Sequence, residues 1–227
     1  MLDELPSAGR ENLDAVHVSR YDGKEDADAY NEVRLLRGLG LDATSTVLDV
    51  GAGTGQFTLA VAPVCSRVIA CDVSPVMHEA FCRRVGASGY RNVEPVLAGF
   101  LTYEHSGRPV DFAYCRYALH HLPDFWKAMA LVRLAHVMRP GAVLRLWDVV
   151  YSFEPEDAAE RVESWCATGD ADPETGWSRG EFEEHVRDEY STFAWLLEPM
   201  IERAGFRIED AEYSADGIFA RYVARRR

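Results

Sequence analysis

Val47-Leu48-Asp49-Val50-Gly51-Ala52-Gly53-Thr54-Gly55-Gln56-Phe57 is the most informative stretch of the chain. Its first four residues form a short, mostly apolar run that stops at Gly51, the pattern of a strand buried in a parallel sheet. Residues 56–64 then read as a helix, closed by turn chemistry near Pro63. Between the two, glycines at alternate positions let the backbone turn tightly and approach a ligand with no Cβ in the way. The helix that follows opens with unpaired N–H groups. Doubly wound sheets bind ligands at this edge, outside the carboxyl ends of their strands. A dinucleotide fingerprint, G-x-G-x-x-G, would need Gly or Ala at position 56, where this chain has Gln56. The pattern is instead G-x-G-x-G, with Asp49 two residues ahead of the first glycine.

The same alternation continues outward. Residues 67–72 read as a second strand and 75–85 as a second helix, with Ser74 as N-cap ahead of Pro75 at the first helical position. Residues 92–97 and 110–115 are strands three and four. A long helix over 125–138 stops at Arg139-Pro140-Gly141, and 142–149 is strand five. The acidic segment 152–190 breaks the rhythm: helices over 156–168 and 179–190 flank the loop Gly169-Asp170-Ala171-Asp172-Pro173. A helix over 198–204 is closed by Gly205, and strands 206–213 and 218–224 meet at Asp216-Gly217, a hairpin signal. Ahead of strand one, 12–39 carries helical pattern with His17, Tyr21 and Tyr30 along it. The expected fold is α/β: a doubly wound, mostly parallel, seven-stranded sheet with helices on both faces. It forms one domain over 1–227, with 1–40 and 152–195 as a helical cap or lid.

Composition narrows the function classes. The chain has 227 residues, 48% hydrophobic and 27% charged, which suits one packed core and excludes a disordered chain. No apolar run approaches the ~20 residues that cross a bilayer. Residues 1–6 have neither a basic leader nor an apolar core, so a cytoplasmic protein is expected. Five cysteines with no C-x-x-C pair read as reduced thiols rather than a zinc site or disulfide framework. A net charge of −13 repels phosphate backbones and anionic membranes, so the expected partner is a small molecule, with no nucleic acid and no membrane. Whether the chain forms a homodimer stays open.

Asp72, at the end of strand two, is placed to accept hydrogen bonds from both hydroxyls of a ribose, a role its nicotinamide-binding counterparts share. With that residue in view, the chain resembles the class I S-adenosylmethionine (SAM)-dependent methyltransferases over roughly residues 47–225. Arg116-Tyr117-Ala118-Leu119-His120-His121-Leu122 is similar to the "ALHHL" block of many small-molecule methyltransferases, and Met138-Arg139-Pro140-Gly141 to their turn before strand five. The last strand, 218–224, fits the family's reversed seventh strand. The resemblance implies SAM as cofactor and S-adenosylhomocysteine as product. It also implies that Asp49, Gly51, Ala52, Gly53 and Gly55 cradle the methionine part, that Asp72 holds the ribose, and that Arg116 lies near the sulfonium. Many relatives place an acid after strand three for the adenine amine. Here Leu97-Ala98-Gly99-Phe100-Leu101-Thr102 has none, which leaves adenine to backbone groups at Gly99 and apolar walls near Phe100 and Val73.

Methyl transfer from a sulfonium is an in-line displacement in which the protein mainly orients the partners and excludes water. His120 and His121 are candidate bases, and Asp148, at the end of strand five, could act as base or hold an amine. Either histidine could equally cap or pack beneath the next helix. Tyr21, Tyr30, Tyr151 and Trp195, with Trp165, Trp177 and Tyr190, are candidates to line an acceptor pocket, although aromatics more often fill core. No metal site is expected. Two other readings stand beside the enzyme: a catalytically idle SAM-binding partner or sensor, and an NAD-dependent oxidoreductase. Gln56 and the lack of a Tyr-x-x-x-Lys pair speak against the second.

Overall fold

The computed structural model describes residues 2–9, 11–25, 27–172 and 176–227, so Pro173 of the expected lid loop lies outside the described residues. Strands β1 (Thr46–Val50), β2 (Arg67–Asp72), β3 (Val93–Leu97), β4 (Val110–Arg116) and β5 (Met138–Tyr151) are parallel. β8 (Phe219–Arg226) runs antiparallel between β5 and β7 (Phe206–Tyr213), giving the order β3-β2-β1-β4-β5-β8-β7. An eighth strand, β6 (Thr192–Phe193), pairs parallel with the end of β5 off this path. Two residues are too few to show a period-2 pattern, which is why a sequence reading counts seven. β5 also begins at Met138, earlier than expected. The Pro140-Gly141 turn is absorbed into the strand, with a register shift against β4 between Val110 and Phe112.

Every residue of β1 is buried, as a strand covered on both faces must be. Above one face lie α5 (Asp124–Val137) and α8 (Ala194–Arg203), which send Leu131, Leu134, Leu197 and Ile201 into one core cluster. Above the other lie α2 (Ala29–Gly38) and α3 (Gln56–Val61), which send Val33, Leu36, Phe57 and Val61 into a second. α4 (Pro75–Ser88) begins as expected, with the Ser74 hydroxyl accepting from the Met77 amide at 3.2 Å.

The N-terminal region is two helices rather than one continuous cap. α1 (Ala15–Lys24) and α2 are separated at Asp28, whose φ of 46° no helix interior tolerates. α2 belongs to the sheet layer. Its Glu32 makes a bidentate, buried ion pair with Arg145 of β5, at 2.8 Å on both arms. Of the N-terminal segment, the part up to α1 reaches the carboxyl edge of the sheet. α6 (Ala158–Cys166) and α7 (Arg179–Asp188), the latter opened by a Ser178–Glu181 capping box, cover the same edge from the other side.

Candidate cofactor cleft and acceptor cavity

The glycine loop is tied to β2 by the Gly51 and Ala52 amides, which donate to the Cys71 carbonyl at 2.9 and 3.0 Å. Gly51 needs to be glycine on two counts. Its φ is 75°, and a Cβ there would lie 2.2 Å from the Cβ of Ala118. Gly51→Ala is expected to cost more than the ~1–2 kcal/mol of the backbone conformation alone, read as a lowered melting temperature. Below the loop, Asp49 is fully enclosed and accepts from the Thr58 hydroxyl at 2.5 Å. Burial, with the Asp72 charge adding to it, pushes the Asp49 carboxyl up to about 7. Asp72 faces the cleft and accepts the Gly53 amide on one oxygen and the Ser74 amide on the other, both at 2.8 Å.

The N-terminal segment is fastened across this loop. Asp22 of α1 accepts from the Thr54 hydroxyl and from Gln56 Nε2. Gln56 also donates to the Glu25 carbonyl at 2.8 Å and accepts the Ala27 amide at 3.1 Å. The residue that breaks the dinucleotide pattern is therefore an anchor for the segment that covers the cleft.

Beyond β4, a single turn over Leu119–His121 carries the histidine pair. The His120 amide donates to Asp148 Oδ2 at 3.1 Å, and its Nδ1 makes a short contact with Oδ1 of the same carboxylate. Its Nε2 lies 2.9 Å from Glu189 Oε2, which lies 2.6 Å from His185 Nδ1. These are close charge contacts rather than aligned hydrogen bonds. Burial alone would lower the His120 pKa, but Asp148 and Glu189 outweigh it and push it up to about 10. Despite its burial, the Asp148 carboxyl is held below its usual range by the His120 charge, and that of Glu189 lies well below. His121 behaves oppositely. Burial and the neighbouring His120 charge push it down to about 3, so it is neutral. His120, His185 and Glu189 also form a group, among the described residues, whose donor atoms lie within 4.8 Å of one another and could hold a metal ion.

These side chains border a cavity of about 400 Å³ walled by Trp165, Trp177, Phe182, Phe219, Tyr117 and Tyr21. Asn12, Tyr21, Tyr117 and His121 line both this cavity and the cleft, which marks the junction. Tyr117 holds φ at 49°, a strained position for a non-glycine residue, with its amide on the Trp147 carbonyl at 2.9 Å. Two acids on the wall are balanced: Glu25 by Arg116 at 2.5 Å and Glu181 by Lys24 at 2.8 Å. His17 Nε2 is buried with no hydrogen-bond partner, leaving a polar group for a ligand to meet.

Residues 47–141 match the model of a family described as a methyltransferase domain. Over 112 residues the chain is 32% identical to a protein of Dictyostelium discoideum named "probable dimethyladenosine transferase", covering 45% of this chain and 36% of that one. The chain thus spans about a third of that relative's length. An uncharacterised methyltransferase of Geobacillus kaustophilus is 24% identical over 217 residues, covering 91% of this chain and 94% of that one. The crystal structure of a SAM-dependent methyltransferase from Aquifex aeolicus shares the fold, with a TM-score of 0.61 at 22% identity, over 93% of this chain and 98% of that one.

Residues 47–141 thus match a methyltransferase domain, and the fold is one that a SAM-dependent methyltransferase shares. The cleft offers groups suited to SAM. Asp72 offers two carboxylate oxygens to a ribose, and Gly53, at φ 54°, has nothing within 4 Å of where a Cβ would project. Val73, Met77 and Phe100 give an apolar end suited to a nucleobase.

Of the expected cofactor residues, Gly51, Gly53, Asp72, Val73, Gly99, Phe100 and Arg116 line the cleft. Asp49, Ala52 and Gly55 stand outside that lining. Gly55 packs its backbone against the Phe81 ring, where a Cβ would come within 2.2 Å, and Asp49 supports the loop from beneath. Four expected acceptor residues lie elsewhere, Tyr190 among them at 45% exposure. Tyr30 is 84% exposed because α2 turns Val33 and Leu36 inward instead. Trp195 is 58% exposed and stacks on Phe193, and Tyr151 packs against Phe153 and Phe193 without lining either space. His185 and Glu189 gave no signal in the sequence, since a histidine and an acid four apart in an acidic helical stretch read as a solvated face.

Proposed function

We propose that this methyltransferase domain methylates a small acceptor, most simply the hydroxyl of an aromatic molecule, held in the 400 Å³ cavity. The observation that carries the proposal is that this aromatic-walled space adjoins the cofactor cleft through Asn12, Tyr21, Tyr117 and His121, with the Asp148–His120 pair on its wall. Its volume and lining suit a small molecule. SAM, when bound, supplies a methyl group made electrophilic by the sulfonium.

Asp148 holds His120 through Nδ1, which leaves Nε2 as the atom that takes a proton. In the structure that atom faces Glu189. An acceptor hydroxyl replaces Glu189 at Nε2. Without that carboxylate the imidazolium releases its Nε2 proton to solvent, and the neutral ring then takes the proton of the hydroxyl, whose oxygen is directed to the junction. The Asp148 carboxylate stabilises the imidazolium so formed. Aromatic walls exclude water and orient the acceptor.

The proposal is tested by following S-adenosylhomocysteine release over a panel of phenols, alcohols and amines, with a hairpin RNA in parallel. Turnover with a small molecule supports it. Turnover on RNA alone would move the acceptor to nucleic acid, where the adenosine in the name of the Dictyostelium relative would become relevant. SAM bound with no turnover across the panel would favour an idle cofactor-binding protein. Asp72→Ala is expected to weaken SAM roughly 10- to 150-fold by calorimetry, the loss of charged hydrogen bonds to the ribose. The proposed proton route uses no ion, so turnover is expected to survive chelation by EDTA. Loss of activity on chelation would reassign His120, His185 and Glu189 to a metal.

A further inference from the structure

The apolar end of the cofactor cleft lacks an acid of its own at β3, where residues 97–102 carry none. A carboxylate reaches that place from the other end of the chain. Glu4, just ahead of a short turn over Leu5–Ser7, is 4% exposed, and its Oε2 accepts the Leu101 amide at 2.9 Å and the Thr102 hydroxyl at 3.3 Å. Gly99 makes room for it. A Cβ on Gly99 would lie 2.5 Å from Glu4 Oε1 and 2.6 Å from its carboxyl carbon. The backbone at position 99 does not demand glycine, since its φ is not positive, so the glycine is explained by space alone. The Glu4 carboxyl fills the volume that a side chain at position 99 would occupy.

Glu4 lines the cleft beside Val73, Met77 and Phe100, and it and Asp72 are the carboxylates of that lining among the described residues. A purine carrying an exocyclic amine presents N–H donors to this end, and a buried carboxylate is a strong acceptor for them. We propose that Glu4 accepts the adenine amine of SAM, so that the N-terminal segment supplies the nucleobase contact that β3 does not. The proposal rests on the cofactor reading above.

From Glu4 the chain continues to the acceptor cavity. Asn12 and Tyr21 line both spaces, His17 lines the acceptor cavity, and the Ser74 hydroxyl donates to the Asn12 carbonyl at 2.6 Å. A cofactor that engages Glu4 therefore holds in place the segment that completes the acceptor cavity, which makes cofactor-first binding the expected order.

The test is calorimetric titration of the full chain with S-adenosylhomocysteine and with its hypoxanthine counterpart, S-inosylhomocysteine, in which a carbonyl replaces the amine. The unsubstituted protein is expected to prefer the adenine ligand by about 10- to 100-fold. Glu4→Gln, whose amide can donate to the carbonyl as well as accept, is expected to reduce that preference to a few-fold. The loss should fall on the adenine ligand. Equal weakening of both ligands, or no change in either, overturns the proposal and leaves Glu4 as a brace for the β3 loop. No binding of S-adenosylhomocysteine to the unsubstituted protein would instead remove the cofactor reading itself. Melting curves without ligand show whether Glu4→Gln is folded. A second variant tests the geometry: Gly99→Asp in a Glu4→Ala background places a carboxylate in the vacated space and should restore the adenine preference. Failure of that restoration in a folded variant also counts against the proposal. Cofactor-protected hydrogen exchange over residues 12–24, present in the unsubstituted protein and reduced in Glu4→Gln, reads the coupling.

Discussion

His120→Ala is expected to lower kcat by roughly 10²- to 10⁴-fold, the range for removing a positioned general base. His121→Ala has a smaller effect, because that ring is held neutral and lacks the Asp148 partner. Asp148→Asn should approach the His120 loss with little change in melting temperature, since an amide reverses the preferred imidazole tautomer while filling the same volume. The pH profile separates proton transfer from mere architecture. Burial opposes the charged imidazole, but the carboxylates of Asp148 and Glu189 together hold His120 protonated up to about pH 10. A base that must first lose its proton gives a kcat/KM that rises toward alkaline pH. Glu189→Gln removes one of the two charges, so the rise should move to lower pH and activity at neutral pH should increase. An unchanged profile in Glu189→Gln would show that His120 does not move the proton. The same shift has a stability sign. The folded pKa lies above the ordinary 6.5, so the pairing stabilises fully below that value and the contribution is lost as pH rises through about 10.

The largest stability effect is expected at the Glu32–Arg145 pair. Both side chains are buried, at 5% and 2% exposure, and they meet on two 2.8 Å arms between α2 and β5. Glu32→Ala leaves the Arg145 guanidinium desolvated and unanswered, which costs about 3–5 kcal/mol. For a chain of this size that lowers the melting temperature by roughly 6–20 °C. The pair itself need not add that much. Replacing both residues together, Glu32→Leu with Arg145→Met, should recover most of the loss, because no charge is then stranded in the core. Denaturant unfolding of the two single variants and the double variant yields the coupling directly. A single variant within about 1 kcal/mol of the parent would mean that α2 relaxes to let water reach the remaining charge.

The strands were legible because each is a short β-branched run that ends in a turn residue. β2 and β7 begin and end where their patterns say. The helix starts at Pro75 and Arg179 were legible too, the first through its Ser74 cap, which is local chemistry. β6 was not, because pairing with β5 depends on where the cap returns to the sheet and not on its own two residues. The break between α1 and α2 was equally hidden, since apolar residues recur with helical spacing on both sides of Asp28.

The site divides along the same line. By itself the sequence determined what is carried by contiguous residues: the strand, glycine loop and helix at 47–57, the carboxylate of Asp72 at a strand end, and the His120-His121 block after β4. Those positions are set by backbone geometry, which neighbouring residues dictate. Only the tertiary structure decided which distant side chains meet. It placed Asp148 rather than solvent on His120, brought Glu189 to the other ring nitrogen, sent Tyr30 and Trp195 outward, and laid Glu4 where position 99 has no side chain. Each of these contacts joins residues that no local period relates. They form because burying the sheet edge under α1, α6 and α7 forces partners on separate elements to satisfy one another's charge and volume.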